Sequence, residues 1–120
     1  MEIGMGLHGE PGVERGPLLS ADRIVDALLA RICDDLDVAP GERFDLMVNS
    51  LGATPQEELY IMFRRCVSFL EQRGAFVRRP WIGQYATSME MAGASISLLR
   101  VDEQLARLLD TPVSAPMLER

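Results

Sequence analysis

The stretch Phe44-Asp45-Leu46-Met47-Val48-Asn49-Ser50-Leu51-Gly52-Ala53-Thr54-Pro55-Gln56-Glu57 decides the fold. It opens with a short apolar run ending on a β-branched residue, which reads as a strand of the sheet interior. A polar and glycine-containing turn follows. Thr54 is then a good helix N-cap, Pro55 suits the first helical position and Glu57 completes a capping box. From there Leu59, Met62, Phe63, Cys66, Phe69 and Leu70 recur at helical spacing and form one apolar stripe. The spacing predicts a helix to about Arg73, with Gly74 as its stop.

Upstream, Ser20 is placed to cap a second helix, with Asp22 in its first turn. Ile24, Leu28, Ile32 and Leu36 recur at four-residue steps, with Val25 and Leu29 beside them, which predicts an amphipathic helix over 21–36. Pro40-Gly41 ends that region. Downstream, Ala75-Phe76-Val77 begins another strand and Ile96 to Val101 is a further one. Tyr85 to Gly93 has no clean period and reads as irregular. Asp102 caps a short helix through about Leu109, and residues 111–120, with Pro112 and Pro116, read as a tail. Strand, helix, strand, helix, strand, strand, helix is the order of an α/β domain, with α+β the alternative: a layered mixed β-sheet with helices packed on it. The 120 residues suit one domain, 1–120.

Composition limits the function classes. A net charge of −6 argues against nucleic acid and anionic membranes as partners. The pairs Arg64–Arg65 and Arg78–Arg79 read as solvated faces rather than a basic patch. Cys33 and Cys66 both fall in helical patterns without metal spacing, so they read as small buried thiols of a reduced protein. No apolar run reaches a membrane span and no signal peptide is evident, so cytoplasmic localisation is the expectation. All twelve basic residues are arginine; without a lysine there is no P-loop.

Residues 1–16 hold five of the ten glycines and the only histidine, His8. Met1 to His8 begins like a strand and passes into the loop Gly9-Glu10-Pro11-Gly12. Gly4, Gly6 and Gly9 fit G-x-G-x-x-G, but a dinucleotide loop needs a helix opening at the third glycine, and Glu10-Pro11-Gly12 does not start one. A lone histidine is most often structural or merely exposed. Glycine-rich backbone around a single titratable side chain instead makes room for a ligand, and a neutral imidazole carries a nucleophilic lone pair. No second histidine or suitably spaced cysteine supports a metal site, and none is expected. The Asn49–Thr54 loop reads as helix capping in preference to a ligand loop.

Three blocks carry a family resemblance: Glu2 to Gly12, Val48 to Tyr60, and Tyr85 to Asp102. Together they resemble the substrate-binding K subunit, or K domain, of dihydroxyacetone kinases, in the family's order and over nearly the whole chain. The resemblance implies that His8 adds to the ketone carbon of a short-chain ketose and holds it as a hemiaminal. Gly9 and Glu10 are further candidates for holding the substrate or tuning the imidazole. It implies no cofactor on this chain; ATP–Mg or ADP–Mg would sit on a separate L-type subunit or domain, the ADP being rephosphorylated by a phosphotransferase relay. Homo-oligomerisation is expected. Family K subunits are much longer, and their N-terminal portion, with a Ser-Gly-His-Glu-Pro segment and an acidic residue acting on the substrate hydroxyl, is missing here. The chain is therefore expected to be the C-terminal, substrate-capturing portion of a phosphotransferase, incomplete by itself. The alternative is a non-catalytic binding module, such as a ligand-sensing partner of a transcription regulator.

Overall fold

The computed structural model describes residues 1–6, 8–115 and 118–119. Its organising element is β3 (Arg43–Ser50), which follows the short strands β1 (Glu2–Ile3) and β2 (Glu14–Arg15) and the helix α1 (Ala21–Leu36). After β3 come α2 (Gln56–Gln72), β4 (Phe76–Gly83), β5 (Ala94–Arg100) and α3 (Glu103–Leu109). β3 is the middle of a three-stranded sheet of order β4-β3-β5, parallel to β4 and antiparallel to β5. Successive side chains of a strand point to opposite faces, and β3 uses both. Phe44, Leu46 and Val48 enter a core with Val25, Leu29 and Cys33 of α1 and Leu59, Met62, Cys66, Phe69 and Leu70 of α2. Asp45 and Asn49 lie on the other face and are equally buried.

The mixed sheet with helices packed on it is the architecture the sequence predicts, and α1 has the predicted ends. Several local expectations need correction. The buried line of α1 is Val25, Leu29 and Cys33, while Ile24, Leu28, Ile32 and Leu36 are only partly buried. The helix is thus turned by one residue from the expected stripe, because α2 and the sheet together determine which face is covered. At the start of α2 there is no capping box: Pro55 is the N-cap, and the Thr54 hydroxyl donates to Gly93 O at 2.8 Å. Ser20 occupies the N-cap position of α1 without a side-chain bond. Asp102 does cap α3, accepting from Leu105 N at 2.7 Å. In the stretch read as a tail, β6 (Ser114–Ala115) pairs antiparallel with β7 (Leu118–Glu119); Pro116 lies outside the described residues.

The cysteines are buried, and burial pushes the Cys66 thiol up to about 12 and raises Cys33 as well, so neither supplies a thiolate near neutral pH. The arginine pairs are not free faces. Arg64 and Arg65 reach Asp22 and Asp26 of α1, tying the two helices together. Arg78 grips Asp45 through two 2.7 Å bonds and also reaches Asp110, which Arg79 shares. Arg78 and Asp45 are 16% and 5% exposed, so each charge is desolvated and depends on the other. Replacing Asp45 by Ala should therefore cost about 3–5 kcal/mol, read from the urea midpoint, and a second change of Arg78 to Met should recover much of that loss. An additive double mutant would contradict the coupling.

Candidate functional site

The described residues among the first sixteen form a closed hairpin. Glu2 pairs with Arg15 and Ile3 with Glu14, and Val13 N donates to Ile3 O at 2.8 Å. The predicted N-terminal strand is thus β1; its partner β2 had no sequence signal. Glu2 staples the base: its carboxylate accepts from Gly12 N at 2.6 Å and from Arg15 Nε at 3.0 Å. These bonds, the Gly12 amide foremost and then Arg15, hold the Glu2 carboxyl below its ordinary range. Ile3 is buried at 5% exposure, and Arg31 of α1 bonds Glu14 at 2.6 Å, so the hairpin is anchored beside α1.

A second closure lies further out. Gly6 N donates to Glu10 O and Gly9 N to Gly6 O, both at 3.1 Å, which draws Gly9 and Glu10 back onto Gly6. His8 stands on this loop with its side chain 91% exposed. Gly9 has φ of +88°, a left-handed conformation that favours glycine. Gly6 leaves open the space that the Glu10 carboxylate occupies: a Cβ there would lie 1.9 Å from Glu10 Oε2, the far end of that side chain. The Glu10 carboxylate is folded back over Gly6, accepts from His8 N at 3.3 Å and lies 3.9 Å from His8 Nδ1. The expected residues His8, Gly9 and Glu10 are therefore brought together. Leu7 lies outside the described residues. The structure also adds Gly6, whose role appears only once Glu10 is seen above it. No helix opens at Gly9; the next one begins at Ala21, so the glycine pattern is not a dinucleotide loop.

The Asn49–Thr54 loop supplies no side-chain cap to α2. Asn49 Oδ1 accepts from Tyr85 N and Ala86 N, and its Nδ2 donates to Ala86 O and Ser95 Oγ, all within 3.1 Å. Ser50 Oγ donates to Thr54 O at 2.8 Å. Ser50 thus closes the loop on itself, while Asn49, and Thr54 through Gly93 O, fasten the irregular 84–93 segment to the end of β3. There Tyr85 meets Trp81 edge to face at 6.0 Å. Among the described residues no cluster of three metal-ligating side chains occurs, and no helix is long and apolar enough to cross a membrane.

A two-layer mixed-sheet domain that presents one exposed histidine on a glycine-framed hairpin is the class of structure defined so far. The chain belongs to the Dak1 domain family, whose model matches residues 1–117. It is 41% identical over 97% of its length to the dihydroxyacetone-binding subunit DhaK of PTS-dependent dihydroxyacetone kinase 2 from Listeria innocua, of which it covers 35%. It is 35% identical to the corresponding subunit of the PEP-dependent kinase of Escherichia coli, covering 98% of this chain and 40% of that one, and 37% identical to L-erythrulose kinase of Pectobacterium atrosepticum, covering 97% and 20%. Among solved structures, the dihydroxyacetone kinase operon co-activator Dha-DhaQ matches with a TM-score of 0.84 at 29% identity, over 91% of this chain and 34% of that one. The dihydroxyacetone kinase of C. freundii, in complex with AMP-PNP and Mg2+, matches with a TM-score of 0.73 at 26% identity, over 90% and 20%. The chain thus spans 20–40% of the length of these relatives.

The Glu2 staple has a pH consequence. A carboxyl whose folded value is lowered contributes stability that is present above its ordinary value and lost as pH falls through the lowered one. The hairpin base should be firm near neutrality and loosen as pH falls below the ordinary glutamate range, seen as a smaller protection factor for the Gly12 amide relative to its intrinsic exchange at the same pH. Glu2→Gln should be loose at both pH values; protection unchanged by that substitution would contradict the staple.

Proposed function

We propose that this chain is the substrate-capturing portion of a short-chain ketose kinase, with His8 as the covalent ligand of the ketose. The observation that carries the reading is the position of the only histidine of a Dak1-family chain: on the outer loop of a glycine-framed hairpin, with open solvent around its ring.

The capture step balances within the pair. One neutral imidazole nitrogen donates its lone pair to the ketone carbon and forms a C–N bond. The carbonyl π pair moves to oxygen, which takes up a proton, while the other ring nitrogen gives one up. The product is a neutral hemiaminal; nothing is oxidised and nothing leaves. A ketose or aldose with a carbonyl beside a hydroxymethyl or other hydroxyl-bearing carbon meets this requirement, whereas glycerol has no carbonyl. Covalent attachment also fixes the terminal hydroxyl in space, the orientation effect that phosphoryl transfer needs. Gly9 lets the loop turn and Glu10 borders the ring. The group that deprotonates the hydroxyl belongs to the portion of the kinase outside these residues. The nucleotide, as ATP–Mg or ADP–Mg, belongs to an L-type partner subunit or domain: the hairpin offers no helix N-terminus to phosphates, and the chain has no lysine. The assembly we propose is cytoplasmic and homo-oligomeric.

One observation favours a second reading, a ligand-sensing module that works with a transcription regulator. The co-activator DhaQ and a structure concerned with regulation of the dha operon of Lactococcus lactis superpose with TM-scores of 0.84 and 0.85, against 0.73 for the kinase. Pull-down against an L-type kinase subunit and against a regulator separates the two: capture of the first alone supports the kinase reading.

Intact-mass analysis after mixing with dihydroxyacetone tests the role of His8. The chain should gain the mass of one ketose and His8→Ala should gain none. Equal gain by both, or none by the unaltered chain, would contradict covalent capture at His8.

A further inference from the structure

An imidazole has two nitrogens, and only the one without a proton can attack. Which nitrogen that is depends on the hydrogen bond made by the other. In water the proton of a neutral histidine prefers Nε2, which leaves the lone pair on Nδ1, the nitrogen closest to its own backbone. Adding a ketose there would crowd it against the main chain. Attack from the outer nitrogen requires the opposite tautomer, with the proton on Nδ1.

The loop contains a device for that choice. The Glu10 carboxylate faces the Nδ1 side of the ring, with Oε1 at 3.9 Å. It is not placed by chance contact with solvent. Its own backbone carbonyl accepts from Gly6 N, its Oε2 accepts from His8 N, and it sits in the space that only a glycine at position 6 leaves open. The carboxylate thus accepts one bond from the His8 backbone and lies beside the ring, and a closure of about 1 Å makes an Nδ1–H to carboxylate bond of ordinary length.

We propose that Glu10, seated over Gly6, is a positioning residue that holds His8 as its Nδ1–H tautomer and so makes Nε2 the nucleophile. This inference rests on the ketose-capture reading for its purpose. As the C–N bond forms at Nε2, the Nδ1 proton passes to the Glu10 carboxylate and the ketose oxygen takes a proton from water; the hydroxide left behind takes the proton back from Glu10, so the net change is the transfer of one proton from Nδ1 to the ketose oxygen. Gly6 acts indirectly: a side chain there would push the carboxylate away.

Because the chain has a single histidine, 15N-histidine labelling gives one pair of ring-nitrogen signals, and their couplings to the two carbon-bound ring protons tell Nδ1 from Nε2. The unaltered chain, in alkaline buffer, should show a protonated Nδ1 and a lone-pair Nε2. Glu10→Ala and Gly6→Ala should both move the population toward Nε2–H, and Glu10→Gln should fall between. Retained protection of the Gly12 amide in each variant shows that the hairpin base is intact, so the shift reports the carboxylate and not unfolding. A dominant Nε2–H form in the unaltered chain, or a tautomer indifferent to Glu10→Ala, would overturn the proposal. Those outcomes leave ketose capture standing if His8 still gains the ketose mass. A chain that shows the Nδ1–H form yet gains no mass would instead contradict the capture reading alone.

Discussion

Both faces of β3 are committed, and the rest of the domain is arranged around that fact. One row, Phe44, Leu46 and Val48, is fully buried against α1 and α2. The other row places Asp45 and Asn49 on either side of the partly buried Met47, and both polar groups are satisfied by specific partners: Asp45 by Arg78, Asn49 by the backbone of Tyr85 and Ala86. A buried polar group without a partner costs about 1–3 kcal/mol, and a buried charge costs more. These two groups therefore allow few arrangements of β4 and the 84–93 segment. The apolar row sets how the helices lie, and α1 in turn supplies Arg31, which bonds Glu14 of the N-terminal hairpin.

The candidate site obeys a different logic from the core. It is exposed and local, and its order comes from hydrogen bonds within sixteen residues rather than from apolar burial. Glu2 fastens the base and Gly6 and Gly9 fasten the outer loop. Such a site can be well formed while still open on the side where the remainder of a longer Dak1-type protein, or a substrate, would lie.

What could be read in the sequence was what depends on neighbours along the chain. The ends of α1, the strand at Phe44–Val48, the cap at Asp102 and the grouping of His8, Gly9 and Glu10 are all local. What could not be read involves distant partners. Thr54 has the right spacing for a capping box, but its hydroxyl is taken by Gly93, 39 residues away. The stripe of α1 is rotated because only the packed neighbours determine which of two adjacent apolar lines is covered. Arg78 and Arg79 look like a solvated pair until Asp45 and Asp110 are brought beside them. The family resemblance, carried by three blocks in order, is borne out by the Dak1 match over residues 1–117. The role of Gly6 was hidden for a steric reason: glycine's requirement appears only when the atom that would collide with its Cβ is known.

The central claim is a bond between His8 and a ketose carbon, and one spectrum addresses it. Dihydroxyacetone labelled with 13C at its carbonyl carbon, mixed with the 15N-histidine chain, should show that carbon at a tetrahedral shift, split by one-bond coupling to an imidazole nitrogen and unsplit when the histidine is unlabelled. A labelled carbon that remains a ketone or its hydrate, or an adduct without nitrogen coupling, would contradict the account.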